Sequence, residues 1–128
     1  MDDRSLAERR EFIRYPFDKQ VRCKVISSPS GQTPVSNTLN AFAKNLSVSG
    51  VLFASTFAPE LSSIVVLEMD YRTTRICQEI EESALVVNNR IVGKVVRIED
   101  SGDGTYGVGV AFIKKDSDLP KNIEDLIA

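Results

Sequence analysis

The sequence has no histidine. That removes the commonest general base and the commonest metal-ligating side chain. It also has no P-loop, no G-x-S-x-G and no Cys/His cluster, so the familiar catalytic and zinc-binding frameworks are missing. Its two cysteines are too few for a disulfide framework. Cys23 alternates with Val21 and Val25 and reads as a small core residue, Cys77 is isolated, and the expected compartment is the reducing cytoplasm. No apolar run approaches the roughly 18 residues that span a bilayer. The start, Met1-Asp2-Asp3-Arg4, is too polar and acidic for a secretory signal. There are no internal repeats or low-complexity tracts.

The 128 residues match the usual length of one domain, and 42% are hydrophobic, enough for a core. Sixteen basic residues against 18 acidic give a net charge of -2. This disfavours a nucleic-acid polymer as ligand, which wants a basic surface. The charge is uneven. Residues 1–24 hold seven basic and five acidic side chains, a local +2; the other 104 hold nine and thirteen, a local -4.

The hydrophobic rhythm is that of β-structure. Val21, Cys23 and Val25 alternate with Arg22 and Lys24, and Ser27 to Gly31 reads as a turn or flexible loop. A second strand is expected over 36–45. A third follows Gly50, with Val51, Phe53 and Phe57 on one face, Thr56 on the other, and Pro59 ending it. A fourth covers 63–71, with Val65, Leu67 and Met69 in alternation. A fifth covers 91–99, Ser101-Gly102-Asp103-Gly104 makes a hairpin turn, and Tyr106, Val108, Val110 and Phe112 form a sixth. Such spacing suggests an antiparallel barrel or sandwich. Residues 73–86 place Ile76, Ile80 and Ala84 at four-residue spacing, one face of a helix with Glu79, Glu81 and Glu82 solvated. A strand reading also fits this segment, because Ala84-Leu85-Val86-Val87 is β-prone. Leu119 to Ile127 reads as a short helix with Pro120 in its first turn. Ser5-Leu6-Ala7-Glu8 is a capping-box pattern, so the N-terminal segment is a helix from Leu6 to about Ile13 or an ordered loop. Pro16 disfavours helix at Tyr15.

Five residues carry the functional signal. Arg10 and Arg14 form R-x-x-x-R, and Asn45, Ser47 and Gly50 form N-x-S-x-x-G. A guanidinium is a permanent planar fork that matches a phosphate or the O6/N7 edge of guanine. The Asn45 oxygen can accept from guanine N1–H and N2–H, Ser47 adds a donor and acceptor, and Gly50 bares the backbone for a turn or a close approach. Together they suit a small anionic guanine ligand. Three or four charge-assisted contacts, each worth roughly 1.5–3 kcal/mol, reach micromolar affinity after the ordering cost.

Arg9-Arg10-x-x-x-Arg14 followed by Asn45-x-Ser47-x-x-Gly50 resembles the signature of PilZ domains, bacterial receptors for the second messenger cyclic di-GMP. Leu46-Ser47-Val48-Ser49-Gly50-Val51 is similar to the family's second and third strands. Gly93 to Ile98 and Tyr106 to Phe112 resemble its last hairpin. Residues 8–127 are covered by the likeness. It implies a mainly β fold: a six-stranded antiparallel barrel over 19–114, a flexible arginine-bearing arm over 1–18 and a C-terminal helix over 119–128, as a single domain over 1–128. It implies that Arg10 and Arg14 grip phosphates and guanine edges while Asn45, Ser47 and Gly50 hold a guanine on the barrel. Arg9 is a further candidate, expected to contact a second, intercalated ligand. Asn45 stands where the family often has Asp, so a lower affinity is expected.

Beside these readings stand plainer ones. Gly107 and Gly109 read as steric necessities of barrel packing, Arg97 as a surface-strand arginine, and Phe12, Tyr15 and Phe17 as arm-to-barrel packing. Residues 72–85 look longer than the family's usual connection, either a partner surface or a long hairpin. The expected protein is a cytoplasmic, non-enzymatic module, monomeric or weakly self-associating. It needs no cofactor, does not insert in a membrane, and binds cyclic di-GMP to signal through an output protein. The alternative is a PilZ-fold interaction adaptor with little or no nucleotide affinity.

Overall fold

The computed structural model describes residues 13–30 and 38–117, the side chains of Thr38 and Leu39 excepted. Arg9, Arg10, Phe12 and the expected C-terminal helix lie outside the described residues.

The strands are β1 (Tyr15–Pro16), β2 (Gln20–Ser27), β3 (Thr38–Leu46), β4 (Gly50–Ser55), β5 (Ile64–Met69), β6 (Val86–Val87), β7 (Arg90–Asp100) and β8 (Tyr106–Phe112). A 3-10 turn (Tyr71–Thr73) and a helix α1 (Cys77–Ser83) separate β5 from β6. All pairings between strands are antiparallel. The order is β1-β3-β2-β5-β7-β8-β4, and β3 also pairs β4. That last pairing closes β2, β3, β4, β5, β7 and β8 into a six-stranded barrel, which leaves these strands no open edge.

Alternation explains the interior. Val21, Cys23 and Val25, with Val65 and Leu67, Val51 and Phe53, and Val108 and Val110, point inward and are buried. Burial pushes the Cys23 thiol up to about 12, as a desolvated thiolate is unfavourable. Phe17 is buried and Tyr15 packs on the same core, so the expected arm-to-barrel packing is present at both. The third strand is shorter than expected: it stops at Ser55, and Phe57 lies beyond it, 43% exposed. The β7–β8 hairpin turns through Gly102 and Gly104, both at positive φ. Asp103 accepts hydrogen bonds from the Thr105 N–H (3.0 Å) and hydroxyl (2.6 Å), which hold its carboxyl below the usual range.

The segment after β5 is helical, with Ile76, Ile80 and Ala84 all buried. The four-residue spacing was therefore a helix signal, and the β-prone stretch beyond it forms only the two-residue β6. Glu81 and Glu82 are exposed as expected, whereas Glu79 is less solvated than expected. Glu81 accepts from the Tyr71 hydroxyl (3.2 Å) and pairs with Arg72 (3.7 Å). Glu79 is half-buried, with Oε2 enclosed and without a hydrogen bond. Burial chiefly raises the Tyr71 hydroxyl's pKa.

A second apolar cluster sits on the outside of the barrel. Ile26, Val66 and Val92 are buried against Ile64, Leu85, Val87 and Ile113. The covering segment is tied down by backbone hydrogen bonds from Leu85 N–H to Ile113 O (2.7 Å) and from Val92 N–H to Leu85 O (3.0 Å). Asn88 and Asn89, both at positive φ, make the tight turn into β7.

Candidate functional site

β1 brings the two motifs together. Its pairing with the end of β3 sets Tyr15 opposite Leu46 and Pro16 opposite Asn45. Pro16 lacks an N–H, which a strand at the end of the order tolerates. Arg14, the residue just before β1, then donates from a terminal guanidinium nitrogen to Asn45 Oδ1 at 2.8 Å.

Asn45 faces outward because of a bulge. The β3–β4 register shifts between Ala43 and Asn45. Ala43 is buried, Lys44 exposed, Asn45 half-buried and Leu46 buried. The extra residue lets two successive side chains leave the interior, a recognised way to re-aim a side chain. A second bulge lies in β7, between Val95 and Arg97. Val95 is buried, whereas Val96 and Arg97 are both exposed.

The two bulges frame one row. Asn45 pairs with Leu52, Leu52 with Gly109, and Gly109 with Arg97, across β3, β4, β8 and β7. At about 4.8 Å per strand the row spans roughly 14 Å. A neighbouring row runs Phe42, Ala54, Gly107 and Glu99. The outer face between Phe42 and Leu52 on one side and Arg97 and Glu99 on the other thus carries only a methyl group and two bare glycines. Arg97 pairs with Glu99 beside it.

The steric expectation for the glycines is corrected at Gly107. A Cβ there would meet nothing nearer than 4.0 Å, and at Gly109 it would stand 3.2 Å from Arg97 Cβ. The crowded glycines are others. A Cβ on Gly50 would lie 2.4 Å from the Val110 carbonyl oxygen, and one on Gly93 would lie 2.4 Å from Val110 Cγ1. Gly50 is bare because β8 passes against it.

Ser47 is 1% exposed. Its N–H donates to Gly50 O (2.8 Å), and its hydroxyl donates to the same oxygen (3.2 Å) and lies 3.3 Å from Ser49 Oγ. Ser47 and Gly50 therefore shape the β3–β4 turn, while Arg14 and Asn45 present polar groups to solvent. The row itself was not legible as a site. Its signals were Gly107 and Gly109 alternating on one strand and Arg97 opposite, but the pairing that aligns them with Asn45 is long-range. Among the described residues no group of Cys, Asp and Glu could hold a metal ion, and no helix is long and apolar enough to cross a membrane.

The PilZ domain family model matches residues 8–128. This chain belongs to the PilZ domain family. PilZ domains are binding domains, generally receptors for cyclic di-GMP, rather than enzymes. Among solved structures, the chain is similar to the crystal structure of the PilZ domain of CeSA from a cellulose synthesizing bacterium. Identity is 14%, the match covers 90% of this chain and 91% of that one, and the TM-score is 0.45. No curated protein matches the chain.

Proposed function

We propose that this PilZ domain is a cytoplasmic receptor for cyclic di-GMP and passes the signal to an output protein. The observation that carries the reading is the hydrogen bond between Arg14 and Asn45, which joins the two motifs at one end of the bare row. A guanine needs a flat, unobstructed bed and an acceptor at its edge. Leu52 and Gly109 supply the bed, and the Asn45 carbonyl supplies the acceptor. Arg14 at one end and Arg97 at the other complement two phosphates. Arg10, four residues before Arg14 in the sequence, adds a second grip on phosphate or guanine. Arg9 reaches a second, intercalated nucleotide. Ser47 and Gly50 act by fixing the turn that presents Asn45, and closure of the arginine-bearing arm relays binding.

Calorimetry with cyclic di-GMP tests this. Wild type is expected to bind at micromolar concentration or tighter, and Arg10→Ala and Arg14→Ala to weaken binding at least about tenfold each, the least one charge-assisted contact is worth. A stoichiometry of one nucleotide per protomer would remove the role given to Arg9. No heat from wild type at tens of micromolar favours the second reading, a PilZ-fold interaction adaptor. One feature of the site favours that reading: the Ser47 hydroxyl is buried and already donates to the Gly50 carbonyl within the chain.

A further inference from the structure

A groove of about 570 Å³ runs between the β1 segment and the turn that leads into α1. None of Arg14, Asn45, Ser47 or Gly50 lines it. Its open apolar surface includes the half-buried Tyr15 and the exposed Pro16, over a floor of buried Phe17, Leu46 and Ile76, and its charged groups are Asp18, Lys19 and Arg75. The threonine hydroxyls beside it are occupied. Thr74 donates to Tyr71 O at 2.5 Å. Thr73 Oγ1 accepts from Lys19 Nζ at 3.0 Å and donates to Asp70 O at 3.3 Å. Lys19 also pairs with Asp70 at 3.4 Å. Arg75 is exposed and has no hydrogen bond or ion pair among the described residues.

We propose that this groove docks a short segment of a partner protein in which apolar side chains are flanked by Asp or Glu. The size falls in the range of ligand clefts. A mostly apolar surface whose hydroxyls are already engaged suits Leu, Ile or Phe side chains, and gives a base edge or a sugar little to pair with. The free cationic fork at the rim selects a carboxylate, and Arg is the side chain best shaped to hold one. The proposal goes beyond nucleotide binding and does not depend on it.

The test is selection of short random peptides displayed on phage against the full chain. Enriched sequences are expected to place Asp or Glu next to Leu, Ile, Val or Phe. A synthetic peptide of the enriched sequence is then titrated by fluorescence anisotropy. Arg75→Glu is expected to weaken it at least about tenfold, the loss of one charge-assisted contact with repulsion added. Arg75 is exposed, so the variant's melting temperature should match wild type. Amide resonances of Tyr15, Phe17 and Thr73 to Ile76 should shift on binding. The proposal is overturned by no enrichment, by enriched peptides lacking acidic residues, by unchanged affinity in Arg75→Glu, or by shifts confined to other strands. A peptide displaced competitively by cyclic di-GMP would belong to the nucleotide face and would overturn it too.

Discussion

On the outside of β5 and β7, Val66 and Val92 are buried under a strap made by Leu85 and Val87. On the outside of β8, Gly107 and Gly109 offer no side chain at all, and nothing among the described residues covers them with a strand. β7 belongs to both faces, because Val92 lies under the strap and Arg97 lies on the bare side. The barrel interior is similar behind both, so the core does not explain the difference. Apolar residues on the outward positions draw a covering segment, and each such Val or Ile fully buried is worth about 1.5–3 kcal/mol. Glycine and alanine on the outward positions draw none, and leave a flat surface open to a ligand. One face adds stability and the other offers access.

The comparison can be broken most strongly at Ile26. Replacing it with Ala empties part of the strapped cluster and should cost about 2–5 kcal/mol in denaturant unfolding. Nucleotide affinity of the folded protein should stay at the wild-type value. If affinity falls in step with stability, the two faces are not separate. Next is Gly50→Ala. Its methyl group meets main chain at the Val110 carbonyl, 2.4 Å away, and main chain gives way less readily than a side chain. About 1–3 kcal/mol of stability should be lost, visible as a lower unfolding midpoint without any ligand present.

Gly109→Ala should do the reverse. Its stability should change by less than about 1 kcal/mol, since alanine is easier to order than glycine and the one close neighbour is Arg97 Cβ. Its affinity for cyclic di-GMP should drop by up to about tenfold, or 1.4 kcal/mol, because the methyl group stands on the proposed bed. Unchanged affinity in calorimetry would put the ligand elsewhere. The smallest effect at neutral pH belongs to Cys23, on the inner side common to both faces. Its folded pKa, about 12, is above its ordinary 9.0. The protonated thiol therefore favours the fold fully below about pH 9, and that contribution is lost as pH rises toward 12. Unfolding midpoints at pH ~8 and pH ~10 should differ in that direction, and Cys23→Ala should reduce the difference.

Much of the barrel was legible because most strands obey period two. Val21, Cys23 and Val25, or Val108, Val110 and Phe112, show their buried face without any knowledge of neighbours. Helix α1 was legible by its four-residue spacing. What was hidden depends on contacts distant in sequence. Nothing local marks Val66 and Val92 as covered rather than solvated, since the covering residues come from a later segment and from Ile113. Gly50 looked like a turn or ligand position, yet the atom that forbids a side chain belongs to β8. Of the candidate site, the motifs named Arg14 and Asn45 for one ligand but did not foretell the direct hydrogen bond between them. The alignment of Asn45, Leu52, Gly109 and Arg97 required two bulges, and a bulge has no composition of its own.

Those bulges make the site a matter of parity. Along β3, Lys44 is the additional residue that exchanges odd and even positions, so Leu46 returns to the interior after Asn45 has left it. Had β3 kept strict alternation from Ala43 with no bulge, Asn45 would turn inward and Leu46 would turn to water. Val96 does the same counting for Arg97 in β7. Two PilZ chains can therefore share every motif residue and still differ in which side of the wall those residues occupy. Whether the strand carries the bulge just before the motif decides it.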